Sequence, residues 1–113
     1  MKFSSALKLN HIFRRLYGTS GHANGFLVLY ARKNQSASNR IGITVSKKLG
    51  GAVVRNRARR RLREVYRLNK PALKQGYDIV LVARSRTLTG SWKELNDSFL
   101  RICRKVNLLE EQG

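Results

Sequence analysis

Residues 40–67 read "RIGITVSKKLGGAVVRNRARRRLREVYR". Two periods meet in this stretch. Over 40–46 the residues alternate: Ile41, Ile43 and Val45 point one way, and Arg40, Gly42, Thr44 and Ser46 the other, as in a half-buried strand. The second face is small and polar, which suits a surface that something lies across. Over 52–67 the period becomes helical, with Val54, Ala58, Leu62, Val65 and Tyr66 on one stripe that can dock on a sheet. "KKLGG" at 47–51 joins the two.

Outward from there, residues 26–33, "FLVLYARK", read as a strand. Phe26, Val28, Tyr30 and Arg32 share one face; Leu27, Leu29, Ala31 and Lys33 share the other. "NQSASN" at 34–39 reads as a polar hairpin loop, and "GTSGHANG" at 18–25 as a turn-rich connection. "YDIVLVA" at 77–83 is a near-continuous apolar run, the pattern of a central strand buried on both faces. Pro71 and Gly76 bracket the connection before it. Ser91 and Glu94 can form a capping box for a last helix, whose residues Trp92, Leu95, Phe99, Ile102, Cys103 and Val106 are spaced for a core. "NHIFRRLY" at 10–17 reads as a first helix, capped by Asn10 and ended by Gly18. It carries two apolar pairs, Ile12/Leu16 and Phe13/Tyr17, of which a core needs only one.

The order helix–strand–strand–helix–strand–helix gives an α+β fold, a two-layer sandwich with a small central sheet. The 113 residues suit one domain, with its core at about 6–106 and short tails.

Charge narrows the function. The net charge is +18, and residues 1–63 hold fifteen Lys or Arg and no acid. Such a one-sided field calls for a polyanion, nucleic acid first. No apolar run approaches the roughly 20 residues needed to span a bilayer. Residues 1–18 lack the apolar segment of a secretory signal, and the single Cys103 fits a reducing compartment, so a cytoplasmic protein is expected. Arginine dominates over lysine on the helix at 52–67. Its planar guanidinium forks onto phosphates and stacks on bases, which an ammonium does not. A merely solvated face would mix signs, yet only Glu64 is acidic.

The segment "VSKKLGGAVVRNRARRRLRE" resembles the signature of the protein subunit of bacterial ribonuclease P. "NHIFRRLYG", "FLVLYAR", "DIVLVAR" and "SWKELNDSFLRICRK" resemble that family's first helix, first strand, last strand and C-terminal helix. The resemblance implies a left-handed crossover around the arginine helix, against the general right-handed preference. It implies a subunit of the enzyme that removes the 5′ leader from precursor tRNA, with a catalytic RNA subunit using magnesium ions. Lys47, Lys48, Arg55, Asn56, Arg57, Arg59, Arg60 and Arg63 would face that RNA. Phe13, Tyr17 and Tyr30 match the family's aromatics for the leader. Strand alternation adds Val28, Arg32, Thr44 and Ser46 to the same cleft. Arg61 stands where many members have an apolar residue.

No catalytic residue is assigned to the chain. Phosphodiester hydrolysis needs a general base or metals held by carboxylates. The acids Glu64, Asp78, Glu94, Asp97, Glu110 and Glu111 all fall outside the basic half. His11 and His22 lack a third clustered ligand for a metal. Magnesium is therefore expected on RNA phosphates, and the partners are ribonuclease P RNA and precursor tRNA, with no membrane and no DNA. A ribosomal protein would explain the charge but not the aromatic pair. A major-groove DNA reader would mix Asn, Gln or Ser among the arginines, and only Asn56 and Asn69 are available.

Overall fold

The apolar run Tyr77–Ala83 forms the middle of the sheet, and the rest of the chain is arranged around it. The structure is a computed structural model that describes residues 21–110. The first helix expected at 10–17, with Phe13, Tyr17 and His11, lies outside the described residues.

In chain order the elements are β1 (His22–Ala23), β2 (Leu27–Lys33), β3 (Arg40–Thr44), α1 (Ala52–Asn69), β4 (Tyr77–Ala83), α2 (Ser85–Thr89) and α3 (Trp92–Lys105). Short 3-10 turns at Lys47–Leu49 and Lys70–Ala72 flank α1. The strand order is β1-β2-β4-β3. β2 runs antiparallel to β4, and β3 runs parallel to it. The architecture is the mixed α/β sheet with helices that the periodicities imply.

The hairpin reading of 34–39 does not hold. β2 and β3 do not pair; β4 lies between them. The loop instead carries the chain around the start of β4. Asn39, wholly buried, accepts from the Tyr77 amide at 2.8 Å and donates to the Lys74 carbonyl at 3.0 Å. The Asn34 amide donates to the Gly76 carbonyl at 2.9 Å. β4 takes the central place because its apolar run must be paired on both edges and covered on both faces. The connection at 18–25 also contains a two-residue strand, β1, which pairs with Leu29 and Val28.

α1 and α3 bury one face of the sheet. Leu27, Leu29, Ile41, Ile79 and Leu81 join Ala58, Leu62, Val65 and Tyr66 of α1 and Leu95, Phe99, Ile102 and Cys103 of α3 in one core. The Ser91 cap is as the sequence implies: Ser91 Oγ accepts from the Glu94 amide at 3.1 Å, and Glu94 Oε1 accepts from the Ser91 amide at 2.9 Å. Two expected core residues are not covered. Trp92 is 38% exposed, because it opens α3 one turn ahead of Leu95, the first side chain wholly buried. Val54 is 37% exposed and packs back against Gly50 in the turn before α1 rather than on the sheet.

Candidate nucleic-acid interface

The face of the sheet away from α1 and α3 is a grid read directly from the register. Val28, Val82 and Thr44 form one row. Tyr30, Val80 and Gly42 form the next, and Arg32, Asp78 and Arg40 the last. The strand-alternation assignment of Val28, Tyr30, Arg32 and Thr44 to one face therefore agrees with the pairing, and all four are half-buried. Gly42 and Thr44 keep the β3 side low. Gly21 does the same beside Tyr30: a Cβ there would stand 2.5 Å from the Tyr30 ring. The ring lies directly on the Gly21 backbone.

The pairing corrects one expectation. Asp78 is not remote from the basic half; it sits on this face between Arg32 and Arg40. Arg40 grips its carboxylate with two bonds, Nε to Oδ1 at 2.7 Å and Nη2 to Oδ2 at 2.6 Å, and Asn34 Nδ2 adds a third at 3.0 Å. The sequence hid this because Arg40 and Asn34 lie 38 and 44 residues away from Asp78. A bidentate guanidinium neutralises the acid, so the row keeps the positive charge of Arg32.

At its upper edge the grid meets residues that sequence reasoning passed over. β2 begins at Leu27, which pairs with Ala83, and Phe26 stands just before it, half-buried against the core. Arg86 lies over the Phe26 ring, 5.5 Å from its centroid, within the range of a cation–π contact.

Ser46 leads from this edge into the basic approach to α1. It is exposed, and its hydroxyl accepts from the Lys48 amide at 3.1 Å, capping the turn that presents Lys47 and Lys48. α1 then starts at Gly51 with no side-chain cap and no acid in its first turn. Its unpaired amides and the helix dipole add to the positive potential there.

Along α1 the arginines separate by direction. Arg57, Arg60 and Arg63 are exposed. Val53, Asn56, Arg59, Arg60 and Arg63 line a shallow groove on its outer side. Asn56 does not cap the helix; its Oδ1 accepts from Arg59 Nη1 at 3.0 Å and so orients that guanidinium. Arg55 is half-buried, with a buried Nε that has no hydrogen-bond partner among the described residues. Arg67 pairs with Glu64. Arg61 points elsewhere: Nε donates to the Thr87 carbonyl and Nη2 to the Gly90 carbonyl, each at 2.7 Å.

Among the described residues no three His, Cys, Asp or Glu side chains gather to hold a metal. Asp78, Glu64, Asp97 and Glu94 are engaged by Arg40, Arg67, Lys93 and the Ser91 amide. These acids do not fit a magnesium cage. No helix among the described residues is long and apolar enough to cross a membrane.

Fold and site together define a class: a small α+β protein that sets an arginine-rich helix beside a mixed sheet whose second face carries Val28, Tyr30, Arg32 and Thr44. Residues 1–107 match the model of the Ribonuclease P family. The chain is 43% identical over 110 residues to the ribonuclease P protein component of Alkaliphilus oremlandii, covering 96% of each. It is 44% identical over 107 residues to that of Natranaerobius thermophilus, covering 93% of this chain and 92% of the relative. Among solved structures, the RNase P protein of Staphylococcus aureus superposes with a TM-score of 0.82 at 29% identity, covering 96% of this chain and all of that one. That of Thermotoga maritima gives 0.79 at 26% identity, covering 96% and 99%. The chain belongs to the ribonuclease P protein component family.

Proposed function

We propose that this chain is the protein subunit of a ribonuclease P ribonucleoprotein, and that it holds two RNAs on two surfaces. Lys47, Lys48, Arg55, Arg57, Arg59, Arg60 and Arg63 take phosphates of the RNA subunit, with Asn56 steering Arg59. The open sheet face takes the single-stranded 5′ leader of precursor tRNA. Bases stack on Tyr30, with Phe13 and Tyr17 as further platforms, over a floor of Val28 and Thr44. Arg32 and Ser46 stand at its two ends. Stacking is tolerant of sequence and is worth roughly 1–3 kcal/mol per base, which suits a protein that meets many leaders.

One observation carries the reading: β3, which carries Thr44 on the face opposite α1 and α3, leads within two residues into Ser46, Lys47 and Lys48. A strand of RNA crossing the sheet leaves it beside the helix that binds the other RNA. The chemistry belongs to the RNA subunit, and magnesium sits on RNA phosphates, since Asp78, Glu64 and Asp97 are occupied by cations, Glu94 by a cap, and no three ligands gather among the described residues.

The test is cleavage of precursor tRNA by a bacterial ribonuclease P RNA at low magnesium, with and without the protein. Cleavage should depend on the protein, and the protein alone should not cut. No stimulation, together with tight binding to ribosomal RNA, would replace this reading with a ribosomal one.

A further inference from the structure

Arg61 stands third in a run of three arginines, at the position where the resemblance sets an apolar residue in many members. The Nε–Nη2 edge, one of the two forks a guanidinium offers to an oxyanion, is filled by the carbonyls of Thr87 and Gly90 at 2.7 Å each. These two carbonyls lie in and just after the short helix α2, where main-chain acceptors lack intrahelical partners. Arg61 therefore bolts the 84–90 segment to α1.

The other side of that segment shapes the upper edge of the sheet. Thr87 is wholly buried; its hydroxyl donates to the Phe26 carbonyl and accepts from the Arg84 amide at 3.1 Å. The Gly90 backbone lies against the Phe26 ring so closely that a Cβ would come within 2.3 Å of it. Arg86 covers the same ring. Phe26 immediately precedes β2, the strand that carries Val28 and Tyr30. A continuous set of contacts thus runs from α1 through Arg61 to Thr87 and Gly90, and on to Phe26 and Arg84.

We propose that Arg61 is a positioning residue rather than an RNA contact: it locks the 84–90 segment, and with it Phe26 at the entry to β2, the strand that carries Val28 and Tyr30, to the helix that carries the RNA-subunit contacts. The inference rests on the two-surface reading above for its functional consequence, and on this geometry alone for the lock itself. A lysine would keep the charge but could not fork both carbonyls; a methionine would keep the stem and lose every donor.

The experiment compares Arg61→Met and Arg61→Lys with the parent protein, free and reconstituted with ribonuclease P RNA. In the free protein, amide hydrogen exchange at Arg84, Thr87 and Gly90 should quicken at least tenfold in both variants, and the Phe26 ring resonances should shift. In the holoenzyme, the salt dependence of RNA-subunit binding should stay unchanged. The preference for leader-bearing over mature tRNA should fall about fivefold in both. Unchanged exchange at 84–90 overturns the lock. A salt slope shallower by nearly one, or full rescue by lysine, makes Arg61 a charge contact instead. Tyr30→Ala runs in parallel: if it leaves leader preference intact, the leader reading fails, and exchange in the free protein alone then decides the lock. Should the methionine variant not fold, the lysine variant carries both readouts.

Discussion

Cys103 shows how burial sets the chemistry of a single residue. It is wholly buried in the core between sheet and α3. Desolvation pushes its thiol pKa up to about 12, because an anion there would lose its hydration without gaining a partner. The neutral thiol is unreactive at neutral pH, so alkylation should be slow in the native protein and fast in urea; equal rates would sink the assignment. The sign of the pH effect follows. The folded pKa lies above the unfolded one, so this contribution to stability is complete below about pH 9 and is lost as pH rises toward 12. Arg60 is the opposite kind of residue, exposed on the outer side of α1. We expect Arg60→Ala to make the log–log salt dependence of RNA-subunit binding shallower by roughly 0.7–0.9, the loss of one phosphate contact, with no change in thermal stability. An unchanged slope would take Arg60 off the interface.

At the scale of the element, α3 is held at its start by a reciprocal cap. Removing the Ser91 hydroxyl leaves the Glu94 amide unpaired, and Ser91→Ala should cost about 1 kcal/mol, or roughly 4 °C in Tm, in a thermal melt. The pH dependence has a defined direction. Bonds from the Ser91 amide hold the Glu94 carboxyl below its ordinary value. Its contribution is therefore present above the unfolded carboxylate range and lost as pH falls through the lowered pKa. The melting difference between the parent and Glu94→Gln should vanish in acid; a difference that persists at pH 2 would mean the cap does not depend on charge. α1 is built differently. It has no cap at Gly51 and no acid in its first turn, so its start is left positive, and the stripe Ala58, Leu62, Val65 and Tyr66 holds it to the sheet instead.

For the molecule as a whole, the sandwich separates the two expected RNA contacts. The outer side of α1 lies on one side of the sheet, and the Tyr30 face on the other. Mutations on the two should therefore act independently. We expect Tyr30→Ala to weaken binding of leader-bearing tRNA by about 1–3 kcal/mol and leave RNA-subunit affinity unchanged. Combined with Arg60→Ala, the effects should add to within about 0.5 kcal/mol. A coupling well above that, measured in the holoenzyme, would mean that one RNA spans both faces.

The sequence by itself determined the faces of the elements and the separation of charge. The period-two run at 40–46, the apolar run at 77–83, the helical stripe of α1 and the Ser91–Glu94 box are all local patterns, and each appears where its residues place it, except that β3 ends at Thr44 and Ser46 caps the turn that follows. The sheet-face residues Val28, Tyr30, Arg32 and Thr44 were legible for the same reason: alternation fixes which side a residue takes. Only the tertiary structure decided which strands are neighbours. Inserting β4 between β2 and β3 turned a supposed hairpin into a wrap past Gly76 and brought Asp78 between two arginines. Periodicity carries no information about partners dozens of residues away. It also cannot tell apart arginines on one helix. Arg60 meets solvent, while Arg61, one residue on and turned about 100° around the axis, meets two carbonyls from a segment that folds in from 26 and 29 residues away.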